Sequence, residues 1–209
     1  MANPVKLNEL YSRVSILLNK AVGRKLTTVE CCLLIDEAAV TIVAGNIRRS
    51  AGMRQFASDD LEAASAKENL WSQDENGSWT IDPEKAALKM ANHTRVYHSK
   101  PSYKTILDAV SKQFNSGEGA IQFAPEAIAR SNADILINEE LRKEFIGIYS
   151  EQGKEEARRW INLNYGPYLE EELDHRMTRY GLNPCGEILG NDFHCNLAEV
   201  HLKIGRAHV

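Results

Sequence analysis

The 209 residues hold 25 lysines and arginines against 29 aspartates and glutamates, a formal charge of −4, with 43% apolar and 7% aromatic side chains. That length and apolar content exclude a disordered chain, and no apolar run approaches the roughly 18 residues a membrane span requires. The acidic balance excludes a broadly basic surface made to coat nucleic acid, while a local basic cluster can still take a phosphate.

Leu7, Leu10, Tyr11, Val14, Leu17, Leu18 and Ala21 recur at three and four, which predicts a helix to Val22 with Gly23 as its stop. Thr27-Thr28-Val29-Glu30 is a capping box, so a second helix follows through Cys31, Cys32, Leu33 and Ile35 towards Gly45. After Ile47-Arg48-Arg49-Ser50 comes a short strand, and Asp59-Asp60-Leu61-Glu62 opens another helix. Trp71 and Trp79 flank Asn76-Gly77, a hairpin signal. Asp82-Pro83 is expected to start a helix to about Met90, residues 94–98 to be extended, and Tyr103, Ile106, Leu107, Val110 and Phe114 to mark an amphipathic helix. Ser116-Gly117-Glu118-Gly119 reads as a tight turn, lacking the lysine and spacing of a phosphate loop, before the apolar run Ala120–Ala124. From Asn138 to about Tyr180 the charge density predicts two or three surface helices broken near Gly153 and Gly166-Pro167. Helices alternating with short strands indicate an α/β fold.

The start, Met1 to Lys6, does not read as an export signal, so the four cysteines are cytosolic thiols, catalytic groups or metal ligands before they are a disulfide framework. Cys185 lies in Gly181–Gly190, a stretch rich in turn formers. Pro184 and Gly186 stiffen its backbone, and Glu187, two residues on, would point to the same side if the segment is extended. That places a sulfur beside a proton acceptor. Cys195, ten residues later, is far enough along for a strand to leave and a second thiol to return. The plainer reading, that free cysteines are small buried hydrophobes, stays open. A zinc set of Cys185, His194, Cys195 and His201 is a further alternative, although adjacent ligands at 194 and 195 lack the usual gap.

Asn183-Pro184-Cys185-Gly186-Glu187-Ile188, with Phe193-His194-Cys195-Asn196-Leu197-Ala198-Glu199-Val200, resembles the finger loop of ribonucleotide reductases, specifically the adenosylcobalamin-dependent class II enzymes. The resemblance extends through Gly23–Glu30, Val43–Met53 and Met90–Tyr97, nearly the whole chain, and the Arg48-Arg49 segment is closest to monomeric triphosphate reductases of cyanobacterial type. It implies part of a ten-stranded α/β barrel over residues 1–203, with a specificity loop near 45–53 and the finger loop near 181–196. It also implies barrel strands before residue 1 and after residue 209. Residues 204–209 leave the family's pattern and can be encoded by a sequencing adapter read in frame, so a non-native tail is expected there.

By the same resemblance, Cys185 would carry the thiyl radical that takes the 3′ hydrogen of a ribonucleotide, in the dry, rigid site such a radical needs. Glu187 would act as base on the 3′ hydroxyl, Asn183 would bond the ribose, and Cys195 would be one member of the reducing pair. No residue matches its partner. Adenosylcobalamin is the implied cofactor. A ribonucleotide substrate, a deoxynucleotide effector and a dithiol reductant such as thioredoxin are the implied partners, in the cytoplasm, with no nucleic acid, membrane or metal site. Asn46, Arg48, Arg49 and Ser50 fall on the loop between effector and substrate base, where forked guanidinium donors meet phosphate or base acceptors; without that context an arginine pair beside glycine reads as a solvated turn. Cys31 and Cys32 read as structural: one faces the core, the other lies about 100° round the helix axis. The alternatives are an iron-dependent large subunit of the same superfamily and a non-catalytic thiol or zinc-binding module.

Overall fold

A computed structural model describes residues 4–41, 52–116, 119–183, 186 and 189–191. Helix α1 (Pro4–Lys20) has no fully buried residue and leans on α2 (Thr28–Val40). The capping box of α2 is formed as expected: Thr27 Oγ1 accepts from the Glu30 N–H at 3.2 Å, and Glu30 Oε2 accepts from the Thr27 N–H at 2.9 Å. Cys32 and Leu33 pack with Ala66, Ala87 and Leu88 in a small core, while Cys31 is exposed, so the helical phasing of the two thiols holds.

The central sheet is parallel in the order β1 (Gly52–Ala57), β4 (Ala91–Tyr97), β5 (Ala120–Phe123). Gln55 pairs with Thr94 and Val96 with Gln122, and partners in a parallel pair point the same way. Met53, Gln55, Thr94 and Gln122 therefore share one face; Arg54, Phe56, His93 and Arg95 share the other. Between β1 and β4 lie α3 (Leu61–Ser65), capped by Asp60, and the antiparallel hairpin β2 (Trp71–Gln73) and β3 (Trp79–Ile81), as Asn76-Gly77 predicts.

Residues 82–90 depart from expectation. Asp82 Oδ1 accepts from the Glu84 N–H at 2.9 Å, an Asx turn that spends the carboxylate before any α-helical cap forms, and a 3-10 turn, Ala86–Met90, follows. Burial of Ala87 and Leu88 and the start of β4 at Ala91 leave no room for more.

After α4 (Tyr103–Ser116), the apolar run Ala120–Ala124 forms β5, and the helix α5 (Ala124–Ser131) follows in a stretch for which the sequence reading gave no element. The charged stretch is three helices, α6 (Glu139–Gln152), α7 (Lys154–Tyr165) and α8 (Pro167–Arg179), broken at Gly153 and Gly166, whose φ values of +92° and +88° suit glycine. They are more than a surface layer. Phe145 and Tyr149, Ala157 and Ile161, and Leu173 and Met177 each sit one turn apart and build the largest core with Val96, Ala124, Ile128 and Leu136.

The α/β class is borne out. The described residues hold a three-stranded parallel sheet and two short antiparallel pairs, not a closed barrel. No helix among them is long and apolar enough to cross a membrane.

Candidate functional site

The stretch read as an irregular loop from Gly181 to Gly190 is framed by two strands. Strand β6 (Tyr180–Leu182) pairs antiparallel with β7 (Leu189–Asn191), with Gly181 opposite Gly190 and Leu182 opposite Leu189. Between the two strands, Asn183 and Gly186 are described. Asn183 is buried, and its carbonyl accepts from the Gly186 N–H at 2.9 Å. Gly186 has φ +82°, a value that disfavours any side chain there. This is the physical reason for a glycine directly after Cys185. Tyr180 and Tyr149 are both held in low dielectric, and burial pushes each phenol up to about 12.

The hairpin is tied to the sheet through Gln55. Its Oε1 accepts from the Leu182 N–H at 3.0 Å, and its Nε2 donates to Gln122 Oε1 at 2.7 Å, so one amide joins β1, β5 and β6. A Cβ on Gly181 would stand 3.4 Å from Gln55 Oε1, in ordinary contact with it. Met53, two residues before Gln55 on the same face, brings its methyl to 3.8 Å of where a Gly186 Cβ would stand and receives the Thr94 hydroxyl at 3.1 Å on sulfur. Leu182 and Gly186 therefore stand beside the sheet face that bears Met53, Gln55 and Thr94.

A second tie lies on the opposite face. Asp36, in α2 and fully buried, is ion-paired with Arg54 of β1. Burial pushes the Asp36 carboxyl up, against the pull of Arg54, and Asp36 Oδ2 and Arg54 Nε have no hydrogen-bond partner among the described residues. The pair joins the helix that precedes residues 42–51 to the strand that follows them. A Cβ on Gly52 would meet the Arg54 guanidinium at 2.8 Å, so a side chain there would press on the group paired with Asp36.

Of the residues singled out from sequence, Asn183 is described, directly after β6. Cys185, Glu187, Cys195, Asn46, Arg48, Arg49, Ser50, and the zinc alternative with His194 and His201, lie outside the described residues, as does the tail 204–209. Their flanks are informative: the strand entered from residues 42–51 is the one whose Gln55 holds the hairpin that carries Cys185. Sequence reasoning missed Gln55, Gln122, Asp36 and Arg54. A signal existed for one of them, since an aspartate within the apolar run from Cys31 to Val40 calls for a buried cation.

No family model matches the chain, and no solved structure matches it. Curated relatives do. The chain is 28% identical over 202 residues to an adenosylcobalamin-dependent ribonucleoside-triphosphate reductase of Lacticaseibacillus paracasei, covering 95% of this chain and 20% of that protein. Reductases of the same name from Lactobacillus acidophilus and Levilactobacillus brevis are each 26% identical, over 200 and 203 residues, again across 95% of this chain. The chain spans about a fifth of the length of these relatives.

Proposed function

We propose that the chain is a segment of the catalytic barrel of an adenosylcobalamin-dependent ribonucleoside-triphosphate reductase, carrying its finger loop and specificity loop. The observation that carries this reading is the hairpin: strands β6 and β7 pair antiparallel and, along the chain, bracket the Asn-Pro-Cys-Gly-Glu-Ile run. Asn183 is buried, Gly186 takes a positive φ, and the sheet face that holds β6 through Gln55 also bears Thr94 and Gln122. The relatives' names support the reaction and the cofactor. The triphosphate, monomeric form of cyanobacterial type rests on the wording of the Arg48-Arg49 segment.

The residues fit the substrate side of such chemistry. A ribose needs hydrogen-bonding groups on a rigid floor, and the amide of Asn183 is of that kind, with Gln55 fixing the strand that leads to it; residues to hold the corrin are not among those the resemblance assigns. When bound, adenosylcobalamin supplies the one-electron start of the reaction. Cys185, as thiyl, takes the 3′ hydrogen of the ribonucleotide and returns a hydrogen at the end. Glu187 takes the proton of the 3′ hydroxyl, which favours loss of the 2′ hydroxyl as water. Asn183 orients the ribose. Cys195 and a second thiol supply two electrons and two protons as they close to a disulfide, which a dithiol such as thioredoxin reopens. Asn46, Arg48, Arg49 and Ser50 transmit the identity of a deoxynucleotide effector to the substrate base. The setting is the cytoplasm, where thiols stay reduced.

The test uses the protein that carries this chain, assayed for deoxynucleotide formation from a ribonucleoside triphosphate with adenosylcobalamin and a dithiol. Cys185→Ser is expected to abolish product, because an O–H bond is too strong for the same hydrogen exchange. Cys195→Ser is expected to spare hydrogen exchange into the cofactor while multiple turnover fails. Product from Cys185→Ser would overturn the proposal. Turnover that needs an iron-bearing radical partner and ignores adenosylcobalamin would move the chain to the iron-dependent large subunits.

A further inference from the structure

The face of the sheet turned away from the Cys185 hairpin carries a second concave site. Gln73 pairs with Trp79, and Trp71 lies two residues before Gln73, so the period of two puts Trp71, Gln73 and Trp79 on one side of the β2–β3 hairpin. On the other side the hydroxyls of Ser72 and Thr80 meet at 3.2 Å. Both indole rings are more than half exposed, at 51% and 66%. They wall a cleft of about 770 Å³ with Phe56, His93 and Arg95 of the sheet at its floor and Lys112 and Asn115 at the end of α4 opposite. Clefts of roughly 300–1,000 Å³ are the usual size for small ligands.

The lining carries an excess of positive charge. Lys67, Arg95 and Lys112 face it with a single carboxylate, Glu68, in a chain whose formal charge is −4. Lys112 is paired with Glu68. Arg95 gives one hydrogen bond to the Tyr97 hydroxyl, at 3.3 Å, and makes no ion pair with any described carboxylate. At the floor, His93 is 7% exposed and stands edge-on to Phe56, with ring centroids 5.9 Å apart. Its Nε2 has no hydrogen-bond partner among the described residues. A buried polar atom left without a partner costs free energy unless something enters to meet it. Burial first, then the nearby Lys67 and Arg54 charges, holds the ring neutral, with its pKa down at about 4.

We propose that this cleft binds a planar heteroaromatic ring bearing an anionic group, of the nucleoside monophosphate class. The ring stacks on Trp71 and Trp79, the Arg95 guanidinium takes the anion, and the His93 ring closes the floor with a nitrogen still to be satisfied. Two exposed aromatic faces suit any nucleobase, and a forked guanidinium suits a phosphate. The site stands on the sheet face opposite the Cys185 hairpin, so its existence does not depend on the reductase reading.

The test is a fluorescence titration of the 209-residue chain with AMP, with adenosine and inorganic phosphate as component probes. Trp160, the third tryptophan, packs against the other core, donates to Glu144 and serves as a constant background. AMP is expected to quench emission saturably and adenosine more weakly. Trp79→Ala, at an exposed position, should weaken AMP about tenfold, the scale of one lost stacking partner. Arg95→Gln should weaken AMP by a similar factor and leave adenosine unchanged. No saturable quenching by AMP would overturn the proposal, as would equal quenching in the Trp71→Phe/Trp79→Phe double variant. An unchanged AMP affinity in Arg95→Gln would remove the anion from the ligand's description. Tighter binding of a short oligothymidylate than of AMP would assign the cleft to single-stranded nucleic acid instead.

Discussion

The two hairpins have the same build, three residues a side, and are stabilised by opposite means. In β2–β3 the turn closes itself: Asp74 accepts the Asn76 and Ser78 N–H groups on Oδ1 at 2.9 and 2.8 Å, and its carbonyl takes the Gly77 N–H at 3.0 Å. Its side chains then face solvent. In β6–β7 the half-buried strand β6 is held from outside itself, by the Gln55 side chain that accepts the Leu182 N–H. A hairpin closed locally can present its side chains to a ligand. One held by tertiary contacts has a fixed position relative to its floor, which a reacting thiol requires.

Loosening the sheet that both hairpins rest on should have the largest effect. Asp36→Ala leaves Arg54 buried without its partner, and a loss of about 3–5 kcal/mol in urea unfolding is expected. Asp36→Asn, which keeps the shape and one acceptor, should cost less.

The floor beneath the tryptophan hairpin responds to pH. His93 has its pKa lowered from 6.5 to about 4, so the unfolded chain binds the proton first; stability is full above about 6.5 and falls as pH drops towards 4. The loss across that window is about 3 kcal/mol, and His93→Gln should flatten it in unfolding curves measured from pH 7 to pH 4.

Two glutamines separate the hairpins directly. Gln55→Leu removes the clamp on β6, and in the protein that carries this chain it should lower turnover by about a hundredfold while leaving substrate KM within a few-fold, the scale expected for a displaced reacting group. Gln73→Leu removes a bond of equal length class, Nε2 to the Gly77 carbonyl at 2.7 Å, but in solvent. Its effect on stability should stay within about 0.5 kcal/mol, with turnover unchanged. Similar turnover losses from both variants would show that Gln55 does not position the hairpin.

Much of this was legible because it is local. The Thr27–Glu30 capping box, the Asn76-Gly77 turn, the glycine breaks at 153 and 166, the phasing of Cys31 and Cys32 and the amphipathic α4 all depend on residues within a few positions of one another. The Cys185 motif was legible for the same reason, as a run of six residues. Residues 82–90 misled because Asp-Pro is compatible with either an Asx turn or a helix cap, and the choice was made by packing Ala87 and Leu88 beside α2. The α6–α8 stretch misled because charge masks a stripe of only two core residues per helix.

What the sequence by itself determined was the α/β class and the element order through most of the chain; the roles of Cys185, Glu187, Asn183 and Cys195 are what the resemblance implies. Only the tertiary structure decided that β1, β4 and β5 lie side by side, that Asn183 is buried directly after β6, and that Gln55 and Gln122, 67 positions apart, join in one hydrogen bond beside that strand. The division has a physical reason. Caps, turns and helical phase are set by neighbours along the chain, whereas a glutamine on a strand has a partner only after the sheet has formed and the hairpin has closed over it.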